Sequence, residues 1–194
     1  VQFEGIQATA SGGGQQLQAY YLWASALVTR YAPEAGRVNR VLTGDKGNQL
    51  HIIFGAPVAP HLPEQALRCA LALQYDRPPT ISAQRIGFAI GNVFAGPLGS
   101  RLRHEYTILG DVVNLAARLT QLGRDGEVWL DTLSANRLQR DFEFEVMPAT
   151  TMKGKSGLVP VCRALRERLG VTLLTARFRR FTRPLIGREA ELAR

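Results

Sequence analysis

The sequence predicts an α+β domain: a ferredoxin-like βαββαβ sheet with helices on one face, extended by extra strands. Three observations predict it. Strand-like apolar runs occupy Val1 to Ile6, Arg37 to Leu42, Gln49 to Phe54 and Ile81 to Ala95. Apolar residues recur at helical spacing over Gln15 to Tyr31 and again from Pro63 to Leu73. The segments follow in the order β-α-β-β-α-β, with further apolar runs after them.

Each element has its own punctuation. Ser11-Gly12-Gly13-Gly14 separates the first strand from a helix that carries Leu17, Tyr20, Tyr21, Ala24, Leu27, Val28 and Tyr31, and Pro33 ends that helix. Thr43 to Asn48 is turn-rich and joins the next two strands, and Gly55-Ala56-Pro57 closes the hairpin. Pro63 opens the second helix, with Ala66, Leu67, Ala70, Leu71 and Leu73 on its apolar face. Pro78-Pro79 breaks the chain before the long run 81–95, in which Gly91 and Gly96 allow bends. A return strand over His104 to Leu109 leads into a helix from Asp111 to about Gln121. Gly126 to Asp131 reads as a strand, Thr132 to Gln139 as a short helix, and Phe142 to Val146 and Leu158 to Ala164 as closing strands. No internal repeat is present.

The chain has 194 residues, 45% hydrophobic and 21% charged, which suits one globular domain with some additional chain. No apolar run reaches membrane-span length, and the first residues lack the pattern of a signal peptide. The start at Val1, inside a strand-like run, leads to the expectation that the chain is a piece of a longer protein. Cys69 and Cys162 have no metal-like spacing and fit a reducing, cytoplasmic compartment, with Cys69 a buried thiol. His51, His61 and His104 are scattered without metal-ligand spacing. The net charge of +8 invites a nucleic-acid partner, but its distribution argues against one. Residues 163–194 hold nine Arg and three Glu, whereas the preceding 162 residues hold fifteen basic and thirteen acidic residues. The basic excess belongs to the tail, and no aromatic-rich basic motif accompanies it.

The most informative stretch is Gly110-Asp111-Val112-Val113-Asn114-Leu115-Ala116-Ala117-Arg118. Asn114 and Arg118, four apart, share one helix face, and the small residues between them admit a close neighbour. An amide beside an Arg on a helix that opens just after a Gly suits a phosphate and ribose site. With Arg103-His104-Glu105-Tyr106-Thr107, Phe54-Gly55, Ile86-Gly87-Phe88-Ala89-Ile90-Gly91 and Met152-Lys153-Gly154, the stretch resembles the class III adenylate and guanylate cyclases over residues 1–165. Asp45-Lys46-Gly47 before Ile52-Ile53-Phe54-Gly55 is most similar to the second cyclase half of the soluble, bicarbonate-responsive adenylyl cyclases.

The resemblance implies the nucleotide cyclase fold and a site shared between two paired domains. There the ribose 3′-hydroxyl of ATP or GTP attacks the α-phosphate and expels pyrophosphate, with two divalent metals held by two Asp carboxylates. It implies that Asn114 orients the ribose, that Arg118 meets charge on the α-phosphate, and that Lys153 reaches the terminal phosphates. Lys46 matches an adenine-binding Lys, and Thr107 stands where adenine and guanine are told apart, so ATP is the expected substrate. The metal positions are different. Gly5 holds the first Asp position and Asn48 the second; Glu4 faces the other way on its strand, and Asp45 lies three residues too early. Asn is a poor ligand for Mg²⁺. The expectation is therefore no metal bound by this half alone, and Mg²⁺ or Mn²⁺ only with a complementing domain. An active homodimer recruiting metal through Asp45 or Glu4 is a weaker reading.

Expected partners are ATP and a second cyclase domain, either a copy of this one or a metal-competent partner. The tail from Arg166 to Arg194 reads as a basic linker. Within it Thr182 to Leu192 resembles the run that opens AAA-type ATPase domains, without a P-loop, so a downstream ATPase in the parent chain is a further expectation. The alternative to a half-site is a degenerate regulatory module that senses nucleotide, or only dimerises, and controls that ATPase.

Overall fold

The computed structural model describes residues 1–44, 47–56, 62–100 and 104–168, with the side chains of His104 and Glu105 excepted. Lys46, Asp45 and His61, Arg103, and the tail from residue 169 on, lie outside the described residues.

The elements in chain order are β1 (Gln2–Glu4), α1 (Gly13–Tyr31), β2 (Gly36–Gly44), β3 (Gly47–Phe54), α2 (Pro63–Tyr75), β4 (Ala83–Phe88), β5 (Phe94–Gly99), β6 (His104–Leu109), α3 (Asp111–Leu122), β7 (Val128–Asp131), α4 (Thr132–Leu138), β8 (Phe142–Thr151) and β9 (Leu158–Glu167). One seven-stranded sheet runs β2-β3-β1-β4-β7-β9-β8, and β5 pairs with β6 in a separate hairpin. The first four of these neighbours, all antiparallel, form the ferredoxin-like unit the sequence predicts.

The alternation of β7 explains how the layers form. Val128 and Leu130 point into a large core with Tyr20, Ala24 and Val28 of α1, Leu67 and Leu73 of α2, and Phe3, Leu50 and Ile86 of the sheet. Trp129, between them, points the other way, into a second cluster with Leu119 of α3, Met152 and Val161. Helices α1 and α2 of the βαββαβ unit thus cover one face, as expected, and α3 adds a layer on the opposite face. Gly87 of β4 makes that layer possible. A Cβ there would lie 2.0 Å from the carbonyl oxygen of Ala116 and 2.4 Å from the amide nitrogen of Thr120, so only glycine lets α3 sit directly on the sheet.

Several boundaries differ from the sequence reading. The run 81–95 is two strands in two sheets, because the chain leaves the main sheet after Phe88, where the Ile90 amide donates to Ser134 Oγ at 2.9 Å. Strand β1 stops at Glu4 rather than Ile6, since Gly5 turns to φ +105°. Strands β8 and β9 are longer than their apolar cores, reaching Thr151 and Glu167. Part of the basic excess lies in this extension. Arg163 pairs with Glu127 at 2.9 Å and with Glu145, Arg166 pairs with Glu143 at 2.8 Å, and Glu167 takes Arg68 at 2.7 Å.

Candidate functional site

The site is built on α3. Leu115, Leu119 and Leu122 turn into the second cluster, which leaves Asn114 exposed and Arg118 half-buried, one turn apart beside that apolar stripe. Their side chains have no hydrogen-bond or ion-pair partner among the described residues, so the amide and the guanidinium keep their hydrogen-bonding capacity.

Lys153 comes to the same place through Met152. That side chain is buried at 6% exposure against Leu119, Trp129 and Val161, which pins the start of the β8–β9 connection to the underside of α3. The Lys155 amide donates to the Met152 carbonyl at 3.0 Å and closes the turn. At its tip, a Cβ on Gly154 would lie 3.4 Å from Arg118 Nη2. Arg118 and the Lys153-Gly154 turn are therefore neighbours across 36 residues of chain, with the Lys153 side chain exposed.

Thr107 lies on β6, opposite Gly96 of β5, half-buried and three residues ahead of the Gly110 that precedes α3. No hydrogen bond joins it to Asn114 or Arg118 among the described residues. The structure thus brings together Asn114, Arg118 and the Lys153 turn, and leaves Thr107 on the adjoining hairpin. Lys46 and Asp45 lie outside the described residues, between β2 and β3.

The positions expected to differ from a metal site have definite environments. Gly5 has φ +105°, and a Cβ there would stand 2.3 Å from the Thr80 carbonyl oxygen and 2.7 Å from the Ser82 nitrogen. Asn48 is 7% exposed, and its Nδ2 donates to the Ile6 carbonyl at 2.7 Å. The same amide bond holds the chain just after Gly5, so the two positions form one structural unit. Glu4 is exposed and lies 3.8 Å from Arg85 Nη2 on the neighbouring strand. Gly5 and Asn48 fit a hard divalent cation poorly: one has no side chain and no room for one, and the other is a neutral amide, buried and tied through Nδ2 to the Ile6 carbonyl. No step through a metal is derived for these residues.

Chemically, the α3 site can grip an anion and a hydroxyl. A guanidinium and an ammonium suit phosphate oxygens, and an amide both donates to and accepts from a ribose hydroxyl. Sequence reasoning singled out the exposed Asn114 and half-buried Arg118 of α3 and the exposed Lys153, but missed the residues that position them, Gly87 under α3 and Met152 under the turn. A glycine inside an apolar strand run was the available signal for the first; a buried Met beside a Gly-rich turn carries little signal of its own.

A chain with this sheet, this helix and this turn is a nucleotide cyclase domain by architecture, and comparison with known proteins agrees. The family described as Adenylate and Guanylate cyclase catalytic domain matches residues 61–162. The chain belongs to that family. It is 36% identical over 169 residues to adenylate cyclase type 10 of Oryctolagus cuniculus and 33% identical over 170 residues to that of Homo sapiens. Each match covers 81% of this chain, and the chain spans about a tenth of the length of these relatives. Among solved structures, the adenylyl cyclase CyaB from P. aeruginosa superposes with a TM-score of 0.70 at 21% identity, covering 82% of this chain and 85% of the other. The guanylate cyclase domain of RhGC from Catenaria anguillulae, solved in complex with GTP, has a TM-score of 0.68 at 22% identity, covering 82% and 87%. These two likenesses show the fold. No helix among the described residues is long and apolar enough to cross a membrane.

Proposed function

We propose that this domain is the ribose- and phosphate-binding half of a composite adenylate cyclase site, completed by a second cyclase domain that brings the metal carboxylates. In that reaction a bond forms between the ribose 3′-oxygen and the α-phosphorus of ATP, the bond from that phosphorus to the bridging oxygen breaks, and pyrophosphate leaves. Asn114 orients the ribose so that the 3′-hydroxyl lies in line with the phosphorus. Arg118 stabilises the charge that grows on the α-phosphate oxygens. Lys153 holds the departing phosphates, Lys46 donates to the adenine ring, and Thr107 contributes to base choice. Carboxylates of the partner domain would hold Mg²⁺ or Mn²⁺, whose chemistry would be to activate the nucleophile and neutralise the phosphates.

The single observation that supports this reading is the approach of the Lys153-Gly154 turn to Arg118, with Asn114 one helical turn away and Lys153 exposed. The structural roles of Gly5 and Asn48 support a division of labour in which the metals come from elsewhere. The test is cyclic AMP formation from ATP with Mn²⁺ or Mg²⁺, for this chain alone and mixed with a metal-competent cyclase domain. Turnover only in the mixture is expected. Turnover by the chain alone refutes the half-site and turns attention to Asp45 and Glu4. ATP binding without turnover in either arrangement refutes it too, in favour of a regulatory module acting on an attached ATPase.

A further inference from the structure

Residues 89–93 carry the chain from β4 of the main sheet to β5 of the separate hairpin. Their backbone is held from one side by a buried relay. Asp131 and Ser134 are 7% and 1% exposed. The Ile90 amide donates to Ser134 Oγ at 2.9 Å, and the hydroxyl gives its single proton to Asp131 Oδ1 at 2.5 Å. The Ser134 amide donates to Asp131 Oδ2 at 3.2 Å, so both oxygens of the carboxylate hold the serine. Asp131 is itself fixed at the end of β7, opposite Val161 of β9. Capping of α4 by Asp131 accounts for the bond to the Ser134 amide. It does not account for the hydroxyl, which is turned so that its oxygen accepts from Ile90, 44 residues away.

From the other side the same residues bear on the first turn of α3. A Cβ on Gly91 would lie 3.2 Å from Val112 Cβ, and one on Gly110 would lie 3.2 Å from the Asn92 carbonyl oxygen. The Val113 amide donates to the Gly110 carbonyl at 3.1 Å and opens the helix. Residues 90–92 are thus a wedge between Ser134 and the start of α3, with backbone close to backbone. Farther along, α3 is set by a different contact. Gly87 receives Ala116 and Thr120, which lie on either side of Arg118 in the sequence. Asn114 therefore follows the turn that the wedge supports, and Arg118 lies in the stretch that Gly87 supports.

We infer that Ser134, oriented by Asp131, is a positioning residue for Asn114. Its hydroxyl fixes residues 90–92, these fix the first turn of α3, and the Asn114 amide is aimed by that turn. The inference rests on the ribose role proposed above for Asn114. Aim matters there, because a misplacement of about 1 Å caused far from the chemistry can cost about 100-fold in rate.

The experiment has two arms. In the first, hydrogen exchange is followed in the full chain alone, parent against Ser134→Ala. Exchange at the Ile90 and Val113 amides should quicken by at least about tenfold, while the Leu119 and Thr120 amides over Gly87 exchange as in the parent. Unchanged exchange at Val113 overturns the link from Ser134 to α3, whatever the activity. In the second arm, ATP turnover by the chain mixed with a metal-competent cyclase domain is compared in a double-mutant cycle. Ser134→Ala should lower kcat by about 10–100-fold with KM within about twofold. The same substitution should change kcat by less than about twofold when Asn114 is already Ala. An equal loss in both backgrounds overturns the inference, because Ser134 then acts on the fold at large. Parent-rate turnover by Asn114→Ala overturns the ribose reading and the inference's link to it, and quickened exchange at Val113 tells that failure apart from a failure of the relay. Should Ser134→Ala not fold, Ser134→Cys fills the same space with a weak acceptor, and the same results decide.

Discussion

Restoring a carboxylate at residue 5 should harm this protein rather than give it a metal site. In Gly5→Asp, an L side chain must adopt φ +105°, which costs about 1–3 kcal/mol of backbone strain. Its Cβ would stand 2.3 Å from the Thr80 carbonyl, so residues 80–82 must move. That movement strains the bond from the Ser82 amide to the Glu4 carbonyl, 3.0 Å long and worth about 1 kcal/mol. Together these come to about 3 kcal/mol, a large share of a domain's stability. For a chain of this size the thermal midpoint should fall by about 6–12 °C. The assay is thermal unfolding followed by circular dichroism, with and without millimolar Mg²⁺ or Mn²⁺. An unchanged midpoint refutes the steric argument. A midpoint restored by metal, together with cyclic AMP formation by the variant alone, refutes the proposal that the metals come from a partner domain.

Other perturbations separate chemistry from packing. Arg118→Ala should lower cyclic AMP formation by the complemented pair by about 10²–10³-fold, with the melting temperature unchanged because the guanidinium has no ion-pair partner among the described residues; unaltered turnover removes its assigned role. Met152→Ala should cost about 2–4 kcal/mol through the cavity left against Leu119 and Trp129 and should also lower turnover, since the Lys153 turn loses its anchor. Stability loss without any change in turnover per folded molecule would show that the turn does not depend on Met152.

The ferredoxin-like unit was legible because its signals are local. Tyr20, Ala24, Leu27 and Val28 mark one helix face, Pro33 and Pro63 bound the elements, and the order of segments fixes the topology. The break at 89–93 was not legible, since Ile86, Phe88 and Ile90 alternate as one strand would. What ends β4 is a bond from Ile90 to Ser134, 44 residues away. The site shows the same division. Asn114 and Arg118 are related by helical spacing alone, whereas the meeting of Arg118 with Gly154 depends on Met152 finding the second cluster. The layer formed by α3 on the far face required Gly87 to lie under Ala116, a coincidence of two distant segments that periodicity does not record.

In the proposed half-site reading, the two halves of a cyclase site could part company because the residues assigned to them rest on separate cores. Arg118 and the Lys153 turn are held by the cluster of Leu119, Trp129, Met152 and Val161, on one face of the sheet. The unit formed by Gly5 and Asn48 sits at the end of β1 and β3, strands whose Phe3 and Leu50 belong to the other core. Perturbations in packed groups that share no partners add rather than couple. Asn48→Asp tests this independence. It replaces a donor to the Ile6 carbonyl with a buried carboxylate that repels it, costing at least about 3 kcal/mol. The midpoint should fall accordingly, while turnover of the complemented pair, measured well below that midpoint, stays within twofold of the parent. A parallel collapse of turnover would mean that Asn48 reaches the α3 site, and that the metal side and the nucleotide side of this domain are coupled through the sheet.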